Sequence, residues 1–127
     1  KVRFINNHTG SLFTEDFESM HKLIEVLDRY GITFVDSRTT AKTKVPEIME
    51  TLHRPYISRD VFLDHSPDVP SVKKAVAHAV KIAKKYGYVI AIGHPHKNTL
   101  KGLVESKEVL KQVRLVYIDE LADNLKR

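Results

Sequence analysis

An α/β fold of parallel strands, each followed by a helix, is the class the sequence predicts, and three observations predict it. Short apolar runs of strand formers alternate with segments of helical period along the chain. Each apolar run leads into polar and charged residues, which is where parallel sheets carry their chemistry. The clearest case is Tyr88 to Thr99, in which the apolar run Val89 to Ile92 is followed by Gly93, His94, Pro95 and His96. Unbroken runs of this kind read as strands buried on both faces. Gly93 permits close backbone approach and Pro95 stops the strand, so His94 is expected to be held rigidly at the strand's carboxyl end.

From the start of the chain, Lys1 to Ile5 alternates as a strand and runs into Asn6, Asn7, His8, Thr9, Gly10 and Ser11. Thr14 is the expected cap of a first helix, with Glu15 and Asp16 in its first turn. Phe17, Met20, Leu23, Ile24 and Leu27 keep a helical period up to Gly31, a C-terminal stop. Ile32 to Val35 is a second strand ending in Asp36, Ser37 and Arg38. Pro46 suits the first turn of a second helix with Val45, Ile48, Met49 and Leu52 facing inward, closed by Pro55. A third strand is expected over Tyr56 to Leu63, with Arg59 and Asp60 inside it and Asp64 and His65 at its end. Charges there need partners if they face inward.

Asp68 or Ser71 is the expected cap of a long third helix whose apolar line runs through Val72, Val76, Ala79, Ile82 or Ala83, and Tyr86 to Gly87. Asn98 or Thr99 is the expected cap of a fourth, through Leu100, Leu103, Val104 and Leu110. A last strand, Val113 to Ile118, is expected to deliver Asp119 and Glu120 to the same edge before a short helix, Leu121 to Leu125. About five strands in strict alternation with helices imply parallel pairing through right-handed crossovers.

Composition narrows the classes. With 127 residues, 42% of them hydrophobic, the chain is long enough for one domain with a core, and no linker-like stretch divides it. The formal charge of +5 comes with lysines on helix faces (Lys73, Lys74, Lys81, Lys84, Lys85), which read as solvated. No aromatic residues interleave with them as stacking platforms, so nucleic acid is not an expected partner. No cysteine is present, which excludes disulfides and thiolate metal sites. No apolar run is long enough to span a membrane. Lys1 opens directly into a strand pattern, so a processed or truncated chain is expected.

The polar groups expected at the carboxyl edge are Asn7, His8 and Ser11; Asp36, Ser37 and Arg38; Asp64 and His65; His94 and His96; and Asp119. Imidazole and carboxylate without thiol suit zinc or another divalent ion at a catalytic site. The plainer alternatives are a histidine capping a strand end, an Asp36–Arg38 ion pair in the interior, and a structural Arg59–Asp60 pair. His21, His53 and His78 fall in helical segments and read as surface or satisfied residues.

Four segments carry a resemblance: Asn6 to Ser11, Phe34 to Thr39, Arg59 to Asp64 and Ala91 to His96. In this order and at these spacings the chain, from Phe4 to about Leu121, resembles the divergent polysaccharide deacetylase family of bacteria. The resemblance implies an incomplete, distorted β/α barrel, of which residues 1–127 would form a single domain, the C-terminal part. It implies a metal-dependent hydrolase that removes acetyl groups from a polysaccharide, exported or periplasmic. By that resemblance His8 and His94 would be metal ligands, with zinc the expected ion. His94, Asp36 and Arg38 would be catalytic, His94 as the acid. Asn7, Ser11, Ser37, Arg59, Asp60 and Asp64 would bind substrate or support the ligands.

Two departures shape these expectations. Paired histidines of the wider superfamily recur at a spacing that places Leu12, not a second imidazole, after His8, so His94 would supply it. The superfamily's Asp-Asp motif belongs to an earlier strand, so the early strands are expected to precede this chain. A chain that binds metal weakly and is inactive by itself is then one expectation. Self-association, or pairing with the missing segment, through the Val2 to Ile5 edge is another. The alternative function is a non-catalytic carbohydrate- or protein-binding module on the same fold.

Overall fold

The computed structural model of the protein describes residues 2–125 and divides into two compact units. Among the described residues the first comprises 2–58 with 116–125, and the second Arg59–Leu115. Lys1, the expected start of the first strand, lies outside the described residues.

In the first unit, strand β1 (Phe4–Asn6) pairs in parallel with β2 (Thr33–Val35), Ile5 opposite Phe34. The expected first helix is two helices, α1 (Ser11–Glu15) and α2 (Phe17–Arg29). Asp16 breaks them apart: extended in backbone, it accepts the Ser19 amide as the cap of α2. Thr14 is therefore not a cap but is buried within α1, its hydroxyl donating to the Ser11 carbonyl. Helix α3 (Val45–Thr51) carries Pro46 in its first turn as expected and buries Val45, Ile48 and Met49. These close over Met20, Ile24, Leu27 and Phe34 to make the core of the unit.

The expected third strand is split. Ser58 makes only a parallel bridge to Asp36, and the strand proper, β3, is Val61–Phe62. The cause is Asp60, whose carboxylate takes the Ile90 amide at 2.8 Å while its own amide donates to the Ile90 carbonyl. A side chain here occupies the place of a ladder bond.

In the second unit β3 pairs in parallel with β4 (Ala91–Ile92), Val61 opposite Ala91. Ile90 is buried but Ala91 is exposed, so the central run is not covered on both faces as the apolar pattern suggested. Among the described residues β4 has a strand neighbour on one side only, β3. Helix α4 (Val69–Tyr86) is capped by Asp68, which accepts from the Ser71 amide, and packs Val72, Val76, Ala79 and Val80 on Val61 and Leu63. Tyr86 is not on that line but exposed beside Lys85. Gly87, at a φ of 95°, ends the helix in the left-handed conformation that glycine adopts without strain.

The expected fourth helix is α5 (Lys97–Glu105) and α6 (Lys107–Leu110), separated at Ser106. Its cap position is held by His96, not Asn98 or Thr99, because the Thr99 hydroxyl is committed to Asp64. The last expected strand does not form: residues 114–117 have no regular structure, and Leu115 and Tyr117 are 75% and 81% exposed. An apolar run without a ladder partner has nothing to hold it as a strand. Asp119 and Glu120 instead open helix α7 (Ile118–Leu125), where the N-terminal dipole favours them, and Asp119 accepts from Arg3. The architecture is thus mixed α/β with four short parallel strands among the described residues, in two pairs.

Candidate functional site

The polar residues that follow β1 and β2 interlock in the first unit. The Ser37 amide donates to Asn7 Oδ1 at 3.1 Å, the Ser37 hydroxyl donates to the Asn7 carbonyl at 2.8 Å, and the Asn6 amide group reaches Ser37 Oγ at 3.0 Å. Ser11 donates to Thr39. His8 is exposed on the loop between them. Thr9 and Arg38 hold φ near 57° and 51°, a left-handed conformation costly for residues with a Cβ.

What holds Arg38 there is Asp36. Asp36 is 0% exposed, and its carboxylate accepts from the Arg38 amide (2.9 Å), the Thr43 hydroxyl (2.9 Å) and the Tyr56 hydroxyl (2.6 Å). The Arg38 guanidinium donates to the same Tyr56 oxygen at 3.2 Å. Asp36 and Arg38 are therefore joined through a backbone amide and a phenol. Burial, then the Asp36 hydrogen bond and charge, push the Tyr56 hydroxyl up to about 12, against a smaller opposing effect of Arg38.

A raised folded pKa gives stability that is complete below the unfolded value near 10 and is lost as pH rises through about 12. Because Tyr56 is only partly buried, solvent screening reduces that contribution to roughly 1 kcal/mol. Tyr56→Phe is expected to lower stability at neutral pH by about 1–2 kcal/mol, since the Asp36 carboxylate loses a donor in a buried place. It should also remove this alkaline component. Urea unfolding of both proteins at pH 7 and pH 11 checks it; an unchanged midpoint for Tyr56→Phe at pH 7 contradicts the assignment.

The second unit brings Asp64 and His94 together. The pairing of β3 with β4 sets their carboxyl ends side by side, and Asp64 and His94 are the polar residues just beyond them. The Asp64 side chain is 2% exposed and accepts from the His94 amide (2.6 Å), the Thr99 hydroxyl (2.8 Å) and, at 2.9 Å, His94 Nδ1. Burial pushes the Asp64 carboxyl up, but the His94 amide, the His94 ring and Thr99 together outweigh it and hold it below the usual carboxylate range. Stability from this group is present above the unfolded value and falls away in acid as Asp64 is protonated. With Nδ1–H committed to Asp64, the neutral imidazole carries its lone pair on Nε2.

Gly93 makes this closeness possible: a Cβ there would meet Thr99 Cγ2 at 3.1 Å. The His94 ring, 36% exposed, stacks on Phe62 at 6.4 Å and on His96 at 5.8 Å, and the Arg59 guanidinium lies 3.9 Å from the Phe62 centroid.

Of the residues singled out by the sequence, Asn7 joins Ser37, Asp36 joins Arg38, and Asp64 joins His94. Arg59 packs on Phe62, and Asp60 serves the β3–β4 pairing. Three participants were not singled out as such. Tyr56 was readable from alternation, which puts it opposite Ile57 in an extended segment. Thr43 carries no signal in the sequence, and Thr99 has the pattern of a helix cap. Among the described residues no group of three or more His, Asp or Glu side chains is arranged to hold a metal ion. Among them, too, no helix is long and apolar enough to cross a membrane.

Residues 1–122 match the family described as divergent polysaccharide deacetylase. The chain is 36% identical over 99 residues to the uncharacterized protein YibQ of Escherichia coli, covering 78% of this chain and 31% of that protein. It is 33% identical over 123 residues to an uncharacterized protein of Haemophilus influenzae, covering 96% of this chain and 44% of that one. It thus spans less than half the length of these relatives. The crystal structure of an uncharacterized protein from Agrobacterium tumefaciens shares the fold, with a TM-score of 0.84 at 19% identity, over 91% of this chain and 48% of that one.

Proposed function

Because the chain belongs to the divergent polysaccharide deacetylase family, we propose that it contributes the proton-handling half of a carbohydrate deacylation site, which hydrolyses acetyl groups on a polysaccharide. The observation that supports this most is the Asp64–His94 pair, a buried carboxylate fixing an imidazole that is itself open to solvent. Departure of a sugar amine or alkoxide from an acyl carbon needs a proton at the leaving atom. Protonated His94 delivers it from Nε2, while Asp64 holds the ring's orientation and stabilises the imidazolium. Within the first unit Asp36 and Tyr56 hold Arg38 in its strained conformation, and Asn7 with Ser37 braces the neighbouring loop.

A divalent cation, zinc from its preference for imidazole and carboxylate, belongs to the family reading, and His94 is the imidazole that the second unit offers it. Catalytic zinc takes three protein ligands. The described residues do not assemble three, so this donor set does not fit the ion by itself. Asp64 already accepts from three donors, and a His94 that gives up a proton from Nε2 cannot hold an ion there at the same time. The alternating strands and helices support the finer reading of an incomplete β/α barrel. An exported or periplasmic location goes with a polysaccharide substrate. Association through the Val2 to Ile5 edge, with a second copy or an earlier segment, goes with a short β1 paired to β2.

Acetate release from N-acetylated chitooligosaccharides and O-acetylated xylooligosaccharides, with zinc supplied, tests the proposal. His94→Gln is expected to lower the rate about 10²- to 10⁴-fold and, because buried Asp64 loses the Nδ1–H donor, to cost about 1–2 kcal/mol of stability. Release that His94→Gln leaves intact would refute the assignment, and oligosaccharide binding without any release would favour a non-catalytic binding module.

A further inference from the structure

His96 is unexplained by the stability of its own neighbourhood. It occupies the N-cap position of α5, where Ser, Thr, Asn or Asp would satisfy a free helix amide, and it makes no side-chain cap bond. Its backbone is nonetheless rigidly placed. The His96 amide donates to the His94 carbonyl at 2.8 Å, closing a tight turn over Pro95 that puts both rings together. Those rings stack at 5.8 Å with an interplanar angle of 29°, and Phe62 backs His94 at 6.4 Å with Arg59 on Phe62. His96 is exposed, and among the described residues no hydrogen bond or ion pair engages its ring.

An imidazole presented in this way offers a flat apolar body with polar tips. A pyranose matches it: axial C–H groups form an apolar face, and ring hydroxyls surround it with donors and acceptors. Resting on the carbohydrate reading above, we infer that His96 is a sugar-stacking platform that seats one pyranose against its exposed ring, so that the acyl group of the seated residue comes to His94. His94, itself backed by Phe62, and the Pro95 turn hold that platform still, so that little side-chain freedom is lost when sugar binds. The sugar class that fits is one whose apolar face is unobstructed, as in β-1,4-linked glucosamine and xylose chains.

The test compares wild-type protein with His96→Ser and His96→Tyr for binding of N-acetylated chitopentaose and O-acetylated xylopentaose by calorimetry, and for acetate release where it occurs. His96→Ser is expected to melt at or above the wild-type temperature, since it supplies the missing cap. It should still weaken binding about 3- to 10-fold, the range of an aromatic stacking contact. The loss should fall on Kd and KM with kcat within about twofold, and His96→Tyr should restore affinity. Unchanged affinity in His96→Ser, a loss confined to kcat, or a wild-type protein that binds neither oligosaccharide overturns the inference. Binding that depends on His96 in a protein that releases no acetate would keep the platform and remove the deacylation reading.

Discussion

Gly102→Ala is expected to destabilise the second unit by about 2–4 kcal/mol, although alanine is the better helix former. Gly102 lies within α5 where it crosses α4, and a Cβ there would fall 2.4 Å from Val72 Cγ1 and 2.7 Å from Val72 Cβ. Val72 is 0% exposed and β-branched, so its side chain has neither space nor a second rotamer with which to yield. The helices must separate, and α5 takes Thr99 with it, loosening the bond from Thr99 to Asp64. The gain of roughly 1 kcal/mol in helix propensity does not offset this. Denaturant unfolding should show the fall, and Val72→Ala introduced beside Gly102→Ala should recover part of it through a favourable coupling. A Gly102→Ala protein as stable as wild type would mean that the two helices do not approach so closely.

The same glycine shows where a sequence stops being legible. A lone glycine in a helical pattern reads as a small propensity penalty, because what it accommodates belongs to another helix. The strand ends were readable for the opposite reason. A β-branched run followed by polar residues is a local signal, and two such runs, ending before Asp64 and His94, became neighbours once β3 and β4 paired in parallel. The apolar run Val113 to Ile118 carries that signal just as strongly and forms no strand, since a ladder partner is a tertiary fact. Asp60 shows the reverse: its charge within an apolar run marked a position that needed a partner, and the partner proved to be the Ile90 amide. Asp36 was singled out for its place after a strand, yet the phenol that ties it to Arg38 comes from Tyr56, about one helix-plus-loop further along the chain.

On the deacylation reading proposed above, Asp64→Asn is expected to reduce acetate release about 10²- to 10⁴-fold while leaving KM within a few fold. The amide is nearly the shape of the carboxylate, so the loss is one of charge and of acceptor capacity. Asp64 accepts three hydrogen bonds, two of them from His94, through its amide and its ring Nδ1. An asparagine has one oxygen to accept with, and its NH₂ must face a group that was a donor. If that NH₂ meets Nδ1, the neutral imidazole is held with its proton on Nε2 and its lone pair turned inward. Any imidazolium formed at His94 also loses the adjacent negative charge that would stabilise it. Because the position is buried, the unmatched donors cost stability as well, about 1–3 kcal/mol, which thermal unfolding will register. Asp64→Glu separates charge from geometry: it keeps the charge but moves the oxygens by one methylene, and should recover the stability only in part. In the ring NMR signals of His94, wild type and Asp64→Asn should differ in which nitrogen carries the proton at neutral pH. Identical tautomers and equal rates in the two proteins would show that Asp64 has no part in directing His94.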